Sequence, residues 1–175
     1  MSVDFHIPKR RSVAIADLRK RWLELCREIL NFLPSPALEI YATWNNPTDA
    51  VAPLMDDAAL LGVTTGWYRV DLVNITQAYV SYLGLDAGIS REVYGVRLGV
   101  GQLALNTAWS ILGAEAMCEL GGSEIEDEGF ISSGGGPLHC GDLLQCLKMT
   151  RRGQEILRLA EVEYKRALPQ QRLTG

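Results

Sequence analysis

Apolar residues recur at spacings of three and four over much of this chain, and the elements they predict are helices. From Ser12, a residue suited to an N-cap, to Leu33 before Pro34, one stripe holds Ile15, Leu18, Trp22, Leu25, Cys26, Ile29 and Leu33. Lys20, Arg21, Glu24, Arg27 and Glu28 fall on the opposite face, where Lys20 and Glu24 stand four apart and can pair. Ser35 and Pro36 open a second predicted helix through "ALEIYATW", ended by Asn45, Asn46 and Pro47. "TDAVAPLMDDAALLG" predicts a short third helix that stops at Gly62, and "VTTGW" a loop.

From Asp71 to Leu83 the same spacing puts Leu72, Ile75, Thr76, Tyr79, Tyr82 and Leu83 on one side and Asn74, Gln77, Ala78 and Ser81 on the other. That second side carries no charge. A helix face left to water normally does, so these four residues are expected to meet a partner. A further helix is predicted from Ser90 to Leu120, apolar nearly all round at its centre, with Gly95 and Gly99 one turn apart for close backbone approach. "DLLQCLKM" fits a helix or a strand equally well. Thr150 caps a last helix whose face holds Gly153, Ile156, Leu157, Ala160, Tyr164, Ala167 and Leu168, with Pro169 at its exit.

The expected fold is therefore mainly α: a single-domain bundle of five or six helices around a central apolar helix, with room for a short β-hairpin near 128–150. The single domain spans 1–175, with a basic arm over 1–11, an acidic and glycine-rich loop over 121–141, and the C-terminal helix over 150–168. A chain of 175 residues can bury a full core without help. Its 47% apolar and 22% charged residues exclude a disordered chain.

The longest uncharged run, Leu98 to Ala114, contains Gln102 and Asn106 and is shorter than the roughly 20 apolar residues of a membrane span. No cleaved export signal is read at the N-terminus. The four cysteines, Cys26, Cys118, Cys140 and Cys146, show no disulfide-framework spacing and are expected to be free and buried, in a reducing, cytoplasmic setting.

Charge is divided into three blocks. Residues 1–27 carry seven Lys/Arg against three acids, residues 28–147 three against fifteen, and residues 148–175 seven against three, for a net −4. The basic ends can pack on the chain's own acidic middle, on a neighbouring protein, or on nucleic acid.

Chemistry-bearing motifs are weak. "GPLHCGDL" has the glycine spacing of a phosphate-binding loop but places Asp142 and Leu143 where Lys and Ser or Thr belong. "GVGQLA" matches a loose dinucleotide fingerprint but has no apolar second strand ending in an acid behind it. His139, Cys140, Cys146 and Cys118 lack the paired short spacings of a zinc site, so no metal or other cofactor is expected. Cys140 has His139 beside it, poorly placed as a base, and His6 far away in sequence. "SEIEDEG" reads as a solvated acidic loop, and "ISSGGGPLHCGDLLQC" as a flexible corner.

Three functions follow. The leading one is a non-enzymatic interaction or assembly subunit, bound to a protein partner or to its own copies through Asn74, Gln77, Ala78 and Ser81 and through its charge blocks, with no membrane partner. The second is a nucleic-acid-binding module using Lys9, Arg10, Arg11, Arg151 and Arg152 on phosphates. For this reading, "CLKMTRRGQEIL" resembles, over Cys146 to Leu157 alone, the strand, Thr cap and glycine-containing helix that follow the wing of some winged-helix regulators. The third is a thiol-dependent enzyme centred on Cys140, with no catalytic residue assigned beyond it.

Overall fold

The structure, a computed structural model, describes residues 4–42, 67–83, 92–98, 103–127 and 137–174. Among the described residues the elements are β1 (Asp4–Pro8), α1 (Ile15–Ile29), β2 (Leu38–Ala42), β3 (Trp67–Leu72), β4 (Thr76–Leu83), β5 (Val93–Leu98), α2 (Ala104–Gly121), β6 (Glu124–Asp127), β7 (Leu138–His139), α3 (Asp142–Met149) and α4 (Arg151–Thr174). The strands lie in the order β2-β3-β4-β5-β1-β6-β7, and every pair is antiparallel. The protein is thus mixed α/β, and the helical bundle expected from the sequence is corrected.

The correction falls on three segments. The predicted helix after Ser35 is β2, in which Leu38 and Ile40 are buried while Glu39 is exposed, an alternation of period two. The predicted helix over 71–83 is the end of β3, a turn, and β4. Leu72 pairs with Thr76, and Asn74 takes φ 61° in the turn between them, a left-handed conformation that Asn tolerates better than most residues.

The long helix predicted from Ser90 to Leu120 divides into β5 and α2, so Gly95 lies in a strand, opposite His6 and Ser81. β-branched and aromatic residues crowd both β4 and β5 and suit a half-buried pleated surface. The helix predicted over 48–62, Gly99, and the strand suggested at Phe130 and Ile131 lie outside the described residues.

One face of the sheet is apolar. Ile40, Val70 and Ala78 stand side by side across β2, β3 and β4, as do Tyr68, Val80, Val96 and Phe5 across β3, β4, β5 and β1. All seven are buried, in one cluster with the apolar sides of α1 and α2. Polar side chains take the other face, where Arg69 donates to both Asp71 oxygens at 3.0 and 3.2 Å and lies over the Tyr41 ring, which is hydrogen-bonded to Glu39.

α2 is the centre of the molecule, buried from Leu105 through Cys118, as the all-round apolar pattern predicts. Trp22 of α1 stacks on Trp109 of α2 with centroids 4.8 Å apart. The Trp22 indole donates to the Trp109 carbonyl at 3.1 Å, and the Trp109 indole to the Val70 carbonyl at 3.0 Å. These two bonds tie α1, α2 and β3 together and satisfy the polar edge of each buried indole.

The N-cap residue of α2, Leu103, has no side chain to cap it, and side chains from elsewhere in the fold bind both ends. Glu163 of α4 accepts the Ala104 and Leu105 amides at 2.9 and 3.0 Å, putting a carboxylate at the helix N-terminus. At the other end the Arg11 guanidinium donates to the Glu119, Leu120 and Gly122 carbonyls at 3.1, 3.1 and 3.0 Å. Base–acid pairs also join each basic block to the acidic middle, Arg21 with Glu119 and Lys148 with Glu28. Replacing Arg11 with Met is expected to cost about 2 kcal/mol, from charge-assisted bonds and the helix dipole. Urea unfolding measures it; a loss under about 0.5 kcal/mol would mean that water satisfies those carbonyls equally well.

Candidate functional site

Two places in the fold bring unusual chemistry together. The first is a recess of about 410 Å³ where the β3–β4 turn meets the start of α2. Asn74, Ile75, Thr76 and Gln77 line it from the hairpin, and Leu103 and Asn106 from α2. Leu103 is 57% exposed, uncommon for a large apolar side chain beside a polar cavity. Among the described residues, Asp71 is the one titratable residue lining this recess, and it is bound by Arg69. Burial raises its carboxyl above the usual range, against the opposing pull of that arginine.

The structure distributes the four proposed contact residues differently from a helix face. Asn74 is in the turn and Gln77 on β4, both lining the recess. Ala78 is fully buried beneath the sheet, because neighbours along a strand point to opposite faces. Ser81 pairs with Trp67 and Gly95 within the sheet.

The five basic residues form two groups at opposite ends of α1. Lys9, Arg10 and Arg11 precede it, and their main-chain amides donate to Glu92 and Gly121 carbonyls. Arg151 and Arg152 are exposed at the start of α4, just beyond Lys148, which pairs with Glu28 in the last turn of α1 at 3.3 Å. At 1.5 Å per residue, α1 separates the groups by about 20 Å. Cys146 to Met149 is helical and belongs to α3, so the strand required by the winged-helix resemblance is not there. Thr150 does cap α4: its hydroxyl accepts the Gly153 amide at 3.0 Å.

The second place lies where α2 meets the β7–α3 corner. Cys118 of α2 and Cys140 form a disulfide, which corrects the expectation that all four cysteines are free. Cys140 is therefore no free thiol in this state, and neither it nor Cys118 is available as a metal ligand. Cys26 and Cys146 are free. Burial pushes the Cys26 thiol up to about 12, and burial with the nearby Asp142 and Asp127 raises that of Cys146, so neither is an activated nucleophile. Among the described residues no three His, Cys, Asp or Glu side chains are arranged to hold a metal ion.

Beside the disulfide sits Glu115, fully buried one helical turn before Cys118. Its Oε1 accepts the amide of Gly141, the residue after Cys140, at 2.5 Å, while its Oε2 meets no hydrogen-bond donor. Burial raises this carboxyl to about 7, with the charge of Glu119 one turn on adding to the effect. Glu119 is itself held by Arg21 of α1 at 2.5 and 3.1 Å. The chain Arg21–Glu119–Glu115–Gly141 thus runs from the half-exposed side of α1 to the disulfide corner. Sequence reasoning passed over Glu115; the available signal was a carboxylate in the apolar centre of a helix whose one other charge is Glu119, one turn on.

Neither glycine motif has the surroundings of a nucleotide cradle among the described residues. β5 does precede α2, but it runs antiparallel to both its neighbours, so the parallel unit that a dinucleotide fingerprint needs is not formed there. In "GPLHCGDL", Asp142 accepts the His139 amide at 2.9 Å and so closes its own turn. No helix among the described residues is long and apolar enough to cross a membrane. The molecule is an antiparallel α/β protein with a neutral polar recess and a buried carboxyl next to a disulfide. No protein-family model matches the chain, and neither a curated protein nor a solved structure matches it.

Proposed function

We propose that this chain is a protein-contact module whose recess between the β3–β4 turn and α2 receives a short, uncharged segment of a partner protein. The observation that supports this reading is the lining: amide and hydroxyl side chains at Asn74, Thr76, Gln77 and Asn106 beside exposed Leu103 and half-buried Ile75. Amides offer donors and acceptors that match a peptide main chain, and the leucine offers an apolar seat for one side chain. The recess size is within the range of pockets that enclose a small ligand. Among the described residues its one acid, Asp71, is tied to Arg69, and no lysine or arginine joins it in the lining, a set that disfavours phosphate.

Affinity purification from source cells with wild type and Leu103→Lys, at low and high salt, with and without nuclease, tests this. A protein retained at high salt after nuclease treatment by wild type, and lost by Leu103→Lys, is expected. Retention that nuclease or salt abolishes would instead favour the terminal arginines and nucleic acid. Nothing retained would remove the contact reading.

A further inference from the structure

The disulfide corner is separate from the recess and offers chemistry of its own. Cys140 is half-buried and Cys118 fully buried, so an incoming thiol reaches the Cys140 sulfur first. At the spacing of Glu115 and Cys118, residues on a helix face each other with Cβ atoms about 5–6 Å apart. The same carboxyl binds the main chain directly after Cys140. This buried acid, carried by the helix that bears Cys118, accepts the amide of Gly141, the N-cap residue of α3, and its second oxygen meets no donor, so ionising it in the core lowers stability.

We propose that Cys118–Cys140 is a redox-active disulfide opened by a dithiol reductant, with Glu115 as the group that delivers the proton to Cys118. The reductant's thiolate attacks the Cys140 sulfur. A new sulfur–sulfur bond forms there as the Cys118–Cys140 bond breaks, and its electron pair leaves on the Cys118 sulfur. The Glu115 carboxyl protonates that sulfur, so no thiolate is stranded in the core, and is itself reprotonated from solvent through the Glu119 side. The reductant's second thiolate then attacks its own sulfur in the mixed disulfide and releases Cys140, which takes a proton from water. The protein gains two electrons and two protons, and the dithiol becomes a disulfide. In a reducing compartment, the disulfides that do occur are mostly transient ones, opened by dithiols in this way. The chain is consumed stoichiometrically, so this reaction stands apart from the contact function.

The charged groups acting on Glu115 are Glu119 from its own helix and Arg21 from α1, while the α3 corner presents only the Gly141 amide. The test uses the full chain with Cys26→Ser and Cys146→Ser, leaving one pair, and dithiothreitol as reductant. Native protein is expected to be reduced without unfolding, and glutathione to trap a mixed disulfide on Cys140 and not on Cys118. Adding Glu115→Gln is expected to slow opening at least tenfold at pH 7, the general-acid contribution, and to remove the step that Glu115 gives the rate's pH profile. Reduction only at the rate of global unfolding, or trapping on Cys118, would overturn the proposal. So would an unchanged rate and pH profile in the Glu115→Gln chain. The trapping result stands on the parent chain even if that variant does not fold.

Discussion

A chain with Gly153→Ala is expected to lose about 3 kcal/mol of stability, although the same exchange in an open helix gains roughly 1 kcal/mol. Gly153 is buried in the first turn of α4, where that helix doubles back from α3 through Thr150. A Cβ there would lie 2.2 Å from the Cys146 carbonyl oxygen and 2.3 Å from that of Leu147. Both are main-chain atoms of α3 and cannot rotate aside. Cys146 O also accepts the Thr150 amide at 3.2 Å, so moving it breaks the bond that closes the end of α3. The contrast with Gly113 is instructive, since a Cβ there meets only the side chain of Trp22. Urea midpoints with an unchanged slope would measure the loss. A stabilised Gly153→Ala protein would show that the α3–α4 corner relaxes at no cost, and the close approach would lose its meaning.

What the sequence revealed follows from how many periods a segment can satisfy. The α1 stripe is long and its charges lie opposite, so its five buried residues, Ile15, Leu18, Trp22, Leu25 and Cys26, are all among those expected. The centre of α2 is apolar on every side and is buried on every side. The stretch from Leu72 to Leu83 fits spacings of three and four, yet Leu72, Ala78 and Val80 are buried at even separations, as in strands. Polar positions between them are neutral or aromatic, so the alternation that marks a half-buried strand was faint. Asn74 was legible as a turn former and was assigned to a helix face instead.

The disulfide had no signal, because the spacing of Cys118 and Cys140 sets them apart in no way from Cys26 and Cys146. The candidate site was legible only in part. The uncharged character of Asn74 and Gln77 singled them out, but the recess they line also needs Leu103 and Asn106, which only the folded chain brings alongside. Arg11 illustrates the reverse: its charge was plain, and its place on the α2 carbonyls was one of three uses that charge blocks allow.

Wild-type stability, with the disulfide intact, is expected to fall as pH rises from about 4.5 through about 7, and Glu115→Gln to remove that fall. The sign follows from the direction of the shift. Burial raises the carboxyl in the folded chain above its unfolded value of 4.5, so between the two values the folded state holds more protons. The contribution is complete below the unfolded value and is lost as pH passes the folded one. At about 1.36 kcal/mol per pKa unit, the loss is roughly 2 to 3 kcal/mol, the lower figure if water reaches the Glu119 side of the pair.

Glutamine keeps an oxygen for the Gly141 amide and gives Glu119 a donor, so it replaces the protonated acid and cannot ionise. The variant should match wild type near pH 4 and exceed it by about 2 kcal/mol at pH 8. Comparing the two chains at each pH cancels the carboxylates that do not touch Glu115, including the Glu163 cap. A difference that stays constant from pH 4 to 8 would place the proton elsewhere. It would also leave Cys118 without its proton source, since an acid ionised throughout that range has none to give.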